Sequence, residues 1–552
     1  MKLRNFMSNV LRIPKLTSGF GKLLPHPVAV TTSSGHYNVQ KCPFNHVQLI
    51  ETSDSDHEQL CPFKAIPGAP GLPFIGNLLD YRDKYKLCFT EIFKIFHKRS
   101  EKYGEIIKET LGPEEIISIS NAEEYMNVIR ADGRQPIRPP LEPLAHYRRE
   151  KGLEIGIFNS QSEVWHRYRK ILSKKLLVPK MITCHIPSKN AVANDFVHRL
   201  GCLTHENNGE TEDLRQELFR WSMESEYFIL LERTAGIMLF NERLGCLEAN
   251  PPSVAIDFVK NLQGFLGHLN YLLFSMPLYK IFRTKRWREF EHYNDQLVSI
   301  GSSLLKKKME KAQELMLCSE TDEDNQSNNE LLTHLVSQKL LTMKESTHMA
   351  IELLMASVES VSTSMSWILY CLANNPDAQE QLYKEIQNVV GDSETVTAEM
   401  LQQLPFVKAC FKEAVRVYPV VFFISRILQK DVNICGYKVP TGTKVQASLY
   451  SISRDTNMFS NPEKYDPHRW IRKEPGCRYY YNLVFGQGAR MCLGRRVAEL
   501  DIHLLLTKII QNYHLEYHHE DVKPKANIVL IPDRPIKLKF IRRNSDRRKT
   551  LN

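Results

Sequence analysis

The sequence predicts a mainly α-helical fold with a small β region, built as one large domain. Three observations carry that expectation. Helical patterns dominate from the end of a Pro/Gly-rich stretch to about residue 420. Beyond it, "VNICGYKVPTGTKVQASLYSIS" sets β-branched runs between Cys-Gly and Pro-Thr-Gly turns, as a small sheet requires. Composition is that of an ordinary globular protein: 42% of the 552 residues are hydrophobic and 25% charged, and no internal repeat occurs.

The net charge of +10 is confined to the ends. Residues 1–50 hold six Lys/Arg and no acid, and the tail from Lys537 holds seven bases and one acid. The body between them has 60 bases against 62 acids, a balance that argues against a nucleic-acid surface. Basic, Ser/Thr-bearing and free of acids, the segment over 1–50 reads as a mitochondrial presequence and leader. No apolar run approaches the ~18 residues of a membrane-spanning helix.

Over 51–80 the motif "CPFKAIPGAPGLPFIGNLLDY" interleaves proline with glycine, which fixes φ at several points and forbids a helix; it reads as a stiff connector into the main domain, 81–540. Residues 541–552 form a basic C-terminal tail. Inside the domain, "SETDEDNQSNNE" is a polar linker between helices. A helix of near 30 residues follows in "LTMKESTHMAIELLMASVESVSTSMSWILYCLANNP": Thr342 and Glu345 form a capping box at its start, and Asn375 before Pro376 closes it. Its middle carries Glu359 and Ser360 where a purely structural helix favours Leu or Ala.

Twelve cysteines include no CxxC pair, in a chain too large to need disulfide staples. Cys492, in "FGQGARMCLGRR", stands apart. It precedes a helical pattern with Val497, Leu500, Leu504 and Leu505 apolar, so it lies just before a helix N-terminus, where the dipole and free amides favour a thiolate. Gly488 and Gly494 remove side chains that would obstruct a flat ligand, and one anionic sulfur there suits axial ligation of haem iron.

On these residues the chain resembles the cytochrome P450 superfamily of haem-thiolate monooxygenases, from about residue 60 onward. The resemblance implies a single P450-type domain with haem b between the long central helix and the cysteine loop. It makes Cys492 the iron ligand within a motif opened by Phe485, and Glu413, Arg416 and Arg469 a buried ion-pair network that holds that loop. It also implies that Trp165 and Arg169, from "WHRYRK", with Arg426 and Arg490, meet the haem propionates. Lys408 and Lys412, with Arg495 and Arg496 after the cysteine, are similar to the mitochondrial branch, whose members receive electrons from a small acidic ferredoxin supplied by NADPH-ferredoxin reductase. The wording "RMCLGRRVAEL" is similar to the vitamin D 24-hydroxylase and related sterol hydroxylases. The implied reaction is hydroxylation of a lipophilic sterol, steroid or secosteroid with O2, on the matrix side of the inner mitochondrial membrane in peripheral contact with it.

Two stretches depart from the family's wording. The central helix reads Ala356-Ser357-Val358-Glu359-Ser360-Val361, which keeps an acid and a hydroxyl for proton delivery but puts Ser357 where the family has glycine, and removes a second hydroxyl at Val361. Residues Glu226 to Thr234 look inserted in a helix that is otherwise shorter in the family. Two rival functions stay open at this level: a haem-thiolate isomerase or lyase of lipid peroxides, and a haem-binding protein without turnover.

Overall fold

Cys61–Pro62 pairs in parallel with Tyr437–Lys438, so the Pro/Gly-rich stretch is stitched to the far end of the chain. This is seen in a computed structural model that describes residues 60–543 apart from 84–85, 88, 112–113, 180–182, 207, 232–242 and 319–340. The expected presequence, the acidic linker and the end of the basic tail lie outside the described residues. From Cys61 the chain forms one compact unit. Gly76 is required in this entry segment: its φ is +57°, and a Cβ there would stand 2.1 Å from the Thr110 carbonyl oxygen.

The elements that position the site run in order: α1 Ile92–Tyr103, β1 Ile106–Leu111, β2 Glu114–Ile119, α2 Ala122–Ala131, α3 Ser162–Leu176, α4 Ile186–Glu206, α5 Leu214–Leu231, α6 Ser253–Phe274 and α7 Lys285–Cys318. Next come α8 Met343–Ala373, α9 Pro376–Val389, α10 Pro405–Val417, β3 Phe423–Ile427, β4 Lys444–Ser448, α11 Pro475–Val484 and α12 Arg495–Asn512. The largest sheet has the order β1-β2-β4-β3, antiparallel except for the β2–β4 pair. A hairpin of Val432–Ile434 with Tyr437–Val439 turns at Cys435 and Gly436, both at positive φ. The hairpin and β4 fall in the stretch where β-branched runs were expected, whereas β1 and β2 lie within the part of the chain expected to be helical, where the Ile-rich runs at 106–107 and 116–119 pair as strands.

Helix α8 is the axis of the molecule. It has 31 residues, about 46 Å at 1.5 Å per residue. Its capping box is formed as the sequence implies, with the Thr342 amide donating to Glu345 Oε2 at 2.7 Å and the Glu345 amide donating to Thr342 Oγ1 at 3.1 Å. Met349 to Val358 join one apolar core with α3, α6 and α7, whereas Val361 onward joins another with α4, α5, α10 and α12. Between the two cores Ala356 is exposed in the middle of a largely buried helix, so this turn faces a hollow. The serines beyond are not loose polar groups: Ser360, Ser362, Ser364 and Ser366 each donate to the carbonyl four residues earlier.

Glu413 on α10 ties the second core to the irregular chain leading to the cysteine. Its carboxylate accepts two hydrogen bonds from Arg416 at 2.8 and 2.9 Å, one from Arg469 at 2.8 Å, one from Trp470 Nε1 at 2.9 Å and one from the Asp466 amide at 2.9 Å. Arg416 then donates onward to the carbonyls of Ser453, Pro462 and Lys464, and Arg469 to Ser460 and Glu474. Both guanidinium groups and the carboxylate are fully out of solvent. Truncating the carboxylate strands two buried cations, so Glu413→Ala should lose about 3–5 kcal/mol of stability, read as a lower denaturant midpoint. A loss under about 1 kcal/mol, the value of an exposed pair, would contradict the network's structural role.

Candidate functional site

The cysteine loop descends from α11 and turns into α12. Phe485 caps α11, its ring packed beside Tyr481 and Phe411 at 5.7 and 6.3 Å. Its carbonyl accepts from the Cys492 amide at 2.7 Å, which closes the loop on itself. Gly488 has φ +76°, and a Cβ there would press on Ile129 of α2 at 3.2 Å. Leu493 and Val497, just past the cysteine, pack into the same core as the first half of α8. The loop and the hollow-facing turn of the central helix therefore meet where the two cores meet.

Cys492 has an accessible surface, yet burial dominates its chemistry, so the surface it shows is the wall of an internal hollow. Burial pushes its thiol above the ordinary range; the amides of Gly494 and Arg495 and the charges of Arg138 and Arg169 pull the other way without prevailing. This corrects one expectation. The helix terminus points its amides at the sulfur but does not by itself make a thiolate, and a bound metal cation is what would hold the deprotonated form.

Four guanidinium groups surround the loop. Arg490 donates to the carbonyls of Pro136 and Ser160 and to Gln161, and lies 3.9 Å over the Trp165 ring. Arg169 donates to the Met491 carbonyl at 2.6 Å, Arg138 to the Arg490 carbonyl at 2.7 Å, and Arg426 to Asp132 at 2.7 Å and the Gln487 carbonyl at 3.3 Å. Trp165 thus serves as a platform for Arg490. Arg138 and Asp132 escaped the sequence reading, although Arg138 sits in "QPIRPP", where proline fixes the backbone on its C-terminal side.

The cluster carries more positive charge than its acids balance. Burial, then Arg138, Arg426 and Arg169, lower Arg490 to about 9, and Asp132 is the acid that opposes them. Burial and Arg426 lower Arg138 to about 10. Crowded, half-dehydrated cations of this kind call for an anionic ligand, and two carboxylates facing them would relieve the repulsion. A thiol facing a hollow and a cluster of guanidinium groups that outnumbers its acids fit haem b, whose iron Cys492 would hold and whose propionates the arginines would meet.

Helices α10 and α12 carry the four basic residues expected at a docking face. Lys412 lies 4.8 Å over the Tyr481 ring and Arg495 5.0 Å over the same ring, so the two converge. Lys408 donates to the Gln402 carbonyl, Arg495 pairs with Glu499 at 3.0 Å, and Arg496 is exposed. Lys408 and Lys412 both act on His503 of α12, which burial and those charges drive down to about 3. On α8 the expected acid and hydroxyl part company. Glu359 is buried and takes a 2.6 Å hydrogen bond from Arg215 of α5, while Ser360 lines the hollow and donates to the Ala356 carbonyl at 2.8 Å.

The cytochrome P450 family model matches residues 66–540, and the chain belongs to that family. It is therefore a haem b monooxygenase. Among named relatives it is 39% identical to cytochrome P450 10 of Lymnaea stagnalis over 91% of this chain and 90% of that one. It is 30% identical to the mitochondrial sterol 26-hydroxylase of Rattus norvegicus over 88% and 90% of the two chains. With the mitochondrial cholesterol side-chain cleavage enzyme of Ovis aries it shares 32% identity over 80% and 82%.

The assignment of Cys492 predicts that the reduced, CO-treated protein shows the red-shifted Soret band of thiolate ligation, and that Cys492→Ser abolishes it, because a hydroxyl oxygen cannot donate charge as sulfur does. An unchanged band in the serine variant would remove Cys492 from the iron.

Proposed function

We propose that this chain is a mitochondrial P450 that hydroxylates a sterol, steroid or secosteroid with electrons from a small acidic ferredoxin, itself reduced by an NADPH-dependent reductase. The observation that carries the reading is that Lys408, Lys412, Arg495 and Arg496 stand on two packed helices, one of which begins three residues after Cys492, with Lys412 and Arg495 meeting over the Tyr481 ring. Such a patch attracts an acidic partner and raises its encounter rate. Two relatives with mitochondrial sterol names, and an acid-free basic leader over residues 1–50, support the compartment and the substrate class. Among the described residues no helix is long and apolar enough to cross a membrane. Exposed Leu72, Phe74 and Leu79 on the entry segment are in keeping with peripheral contact.

When bound, haem b supplies the reduction of O2 and the insertion of one oxygen atom into a C–H bond. The chain's own work is to hold the sulfur, to neutralise the propionates with buried guanidinium groups, and to keep water and protons under control in the hollow. A reading as a lipid-peroxide isomerase or lyase requires no electrons, and a haem-binding protein without turnover requires no product.

Reconstitution with NADPH, reductase and ferredoxin separates the three. The proposal expects a hydroxylated sterol-class product that depends on ferredoxin, found after a substrate screen by Soret shift; product without electrons, or no product from any binding sterol, would overturn it. In the double variant Lys408→Glu/Lys412→Glu, ferredoxin-supported turnover should fall about ten-fold or more while haem content and substrate-induced spectra persist. In the unaltered protein, raising salt until the Debye length falls well below its physiological value of about 8 Å should mimic the loss.

A further inference from the structure

Between the helix Glu142–Lys151 and α3 the chain makes one helical turn, Gly156–Asn159. So short a helix is not held by its own hydrogen bonds. Glu352 of α8, one turn before exposed Ala356, fixes it from outside. Its Oε2 accepts from the Ile157 amide at 2.6 Å and from the Phe158 amide at 3.2 Å. The same carboxylate pairs with Arg148, whose guanidinium also donates to the Ile155 carbonyl. Both charged side chains are buried. Gly156 permits the approach: its φ is +67°, and a Cβ there would collide with the guanidinium and with the carboxylate. Ile157 completes the attachment by packing in one core with Leu354 and Val358 of α8.

The far end of the turn meets the guanidinium cluster. The Ser160 carbonyl accepts from both terminal nitrogens of Arg490 at 3.2 Å, and Gln161 Oε1 accepts from Arg490 at 2.7 Å and from the Arg138 amide at 3.3 Å. Gln161 Nε2 donates in return to the Arg138 carbonyl at 3.0 Å. Three of the four hydrogen bonds that Arg490 donates among the described residues therefore end on Ser160 and Gln161, the fourth on Pro136. The orientation of Ser160 follows that of the turn, because its amide donates to the Gly156 carbonyl at 3.1 Å and its hydroxyl to the Ile157 carbonyl at 3.2 Å. Residues 157–161 thus join a carboxylate on the central helix to two of the arginines around the cysteine loop.

We propose that Glu352 is a positioning residue for the haem. By fixing the turn it fixes the acceptors of Arg490 and the backbone of Arg138, and so the directions in which these arginines meet the propionates. Direction matters here as much as charge, because a guanidinium presents its donors as a rigid planar fork and binds a carboxylate well only when the two planes align. The anchoring needs an oxygen that accepts from two amides, which a glutamine also supplies, whereas the pairing with Arg148 needs the negative charge. The two roles of Glu352 are therefore separable. The proposal rests on the haem b of the family and involves neither the substrate class nor the ferredoxin.

Resonance Raman spectra of the ferric protein isolated with its haem test this, since the propionate-bending bands follow the hydrogen bonds that the propionates accept. The rate at which haem is lost to excess apomyoglobin is the second readout. Glu352→Ala should shift the bending bands and speed haem loss about ten-fold, the usual order when an outer partner of a metal site is removed. Arg148→Met/Glu352→Leu, which strands no buried charge, should do the same and supplies the answer if the alanine variant does not fold. Glu352→Gln should keep wild-type bands and haem loss although its denaturant midpoint falls, because Arg148 is left without its anion. Since Glu352 acts through the turn, Gln161→Leu should reproduce the shift, and Glu352→Ala/Gln161→Leu should lose haem little faster than either single variant. Unshifted bands in both Glu352→Ala and the Arg148→Met/Glu352→Leu pair, a shift in Glu352→Gln equal to that of the alanine variant, or additive effects with Gln161→Leu would overturn the positioning role.

Discussion

The fold hangs on one buried carboxylate. Glu413 accepts five hydrogen bonds, from two arginines, a tryptophan and a backbone amide, and the two arginines then make six further hydrogen bonds to five acceptors along residues 453–474, the Lys464 carbonyl taking one from each. That stretch contains little regular structure, so its carbonyls would otherwise lack partners in the interior. Their satisfaction by guanidinium groups lets irregular chain lie against α10 and deliver α11 in a fixed place. Because α11 runs directly into Phe485 and the cysteine loop, the position of Cys492 is inherited from Glu413 some eighty residues earlier.

A second constraint is electrostatic and acts in the opposite sense. Around the loop, cations outnumber the acids that face them, and the sulfur is held as a thiol by burial. A metal cation on the sulfur and two carboxylates on the guanidinium groups would complete the charges on both sides. Backbone carbonyls hold the guanidinium groups in place: Pro136, Ser160, Gln487, Arg490 and Met491 all accept from these arginines. The helix dipole contributes direction more than protonation state, since dehydration of the thiol outweighs two amide contacts.

Much of this was legible in the sequence, for identifiable reasons. The capping box of α8, the turn at Cys435–Gly436 and the helix after Cys492 depend on local rules, and residues 342–345, 432–439 and 495–512 obey them. Pairings across long separations were not readable from pattern. Asp132 with Arg426, Arg215 with Glu359, and Lys189 with Asp501 each join residues more than a hundred positions apart, and a lone Asp, Arg or Lys on a helix gives no sign of whether it turns inward. The mid-helix serines behaved otherwise: the bonds of Ser360 and Ser364 to carbonyls four residues back, and of Ser357 to the Leu354 carbonyl, follow from helix geometry alone.

A crystal structure of the protein isolated with its haem tests the central claim most directly, namely that the Glu413 network and the guanidinium cluster exist to present one sulfur and receive two carboxylates. The account predicts Cys492 Sγ bonded to the iron, both propionates hydrogen-bonded within the set Arg138, Arg169, Arg426 and Arg490, and the five hydrogen bonds at Glu413 unchanged. Iron held by another residue, or propionates turned away from all four arginines, would contradict it.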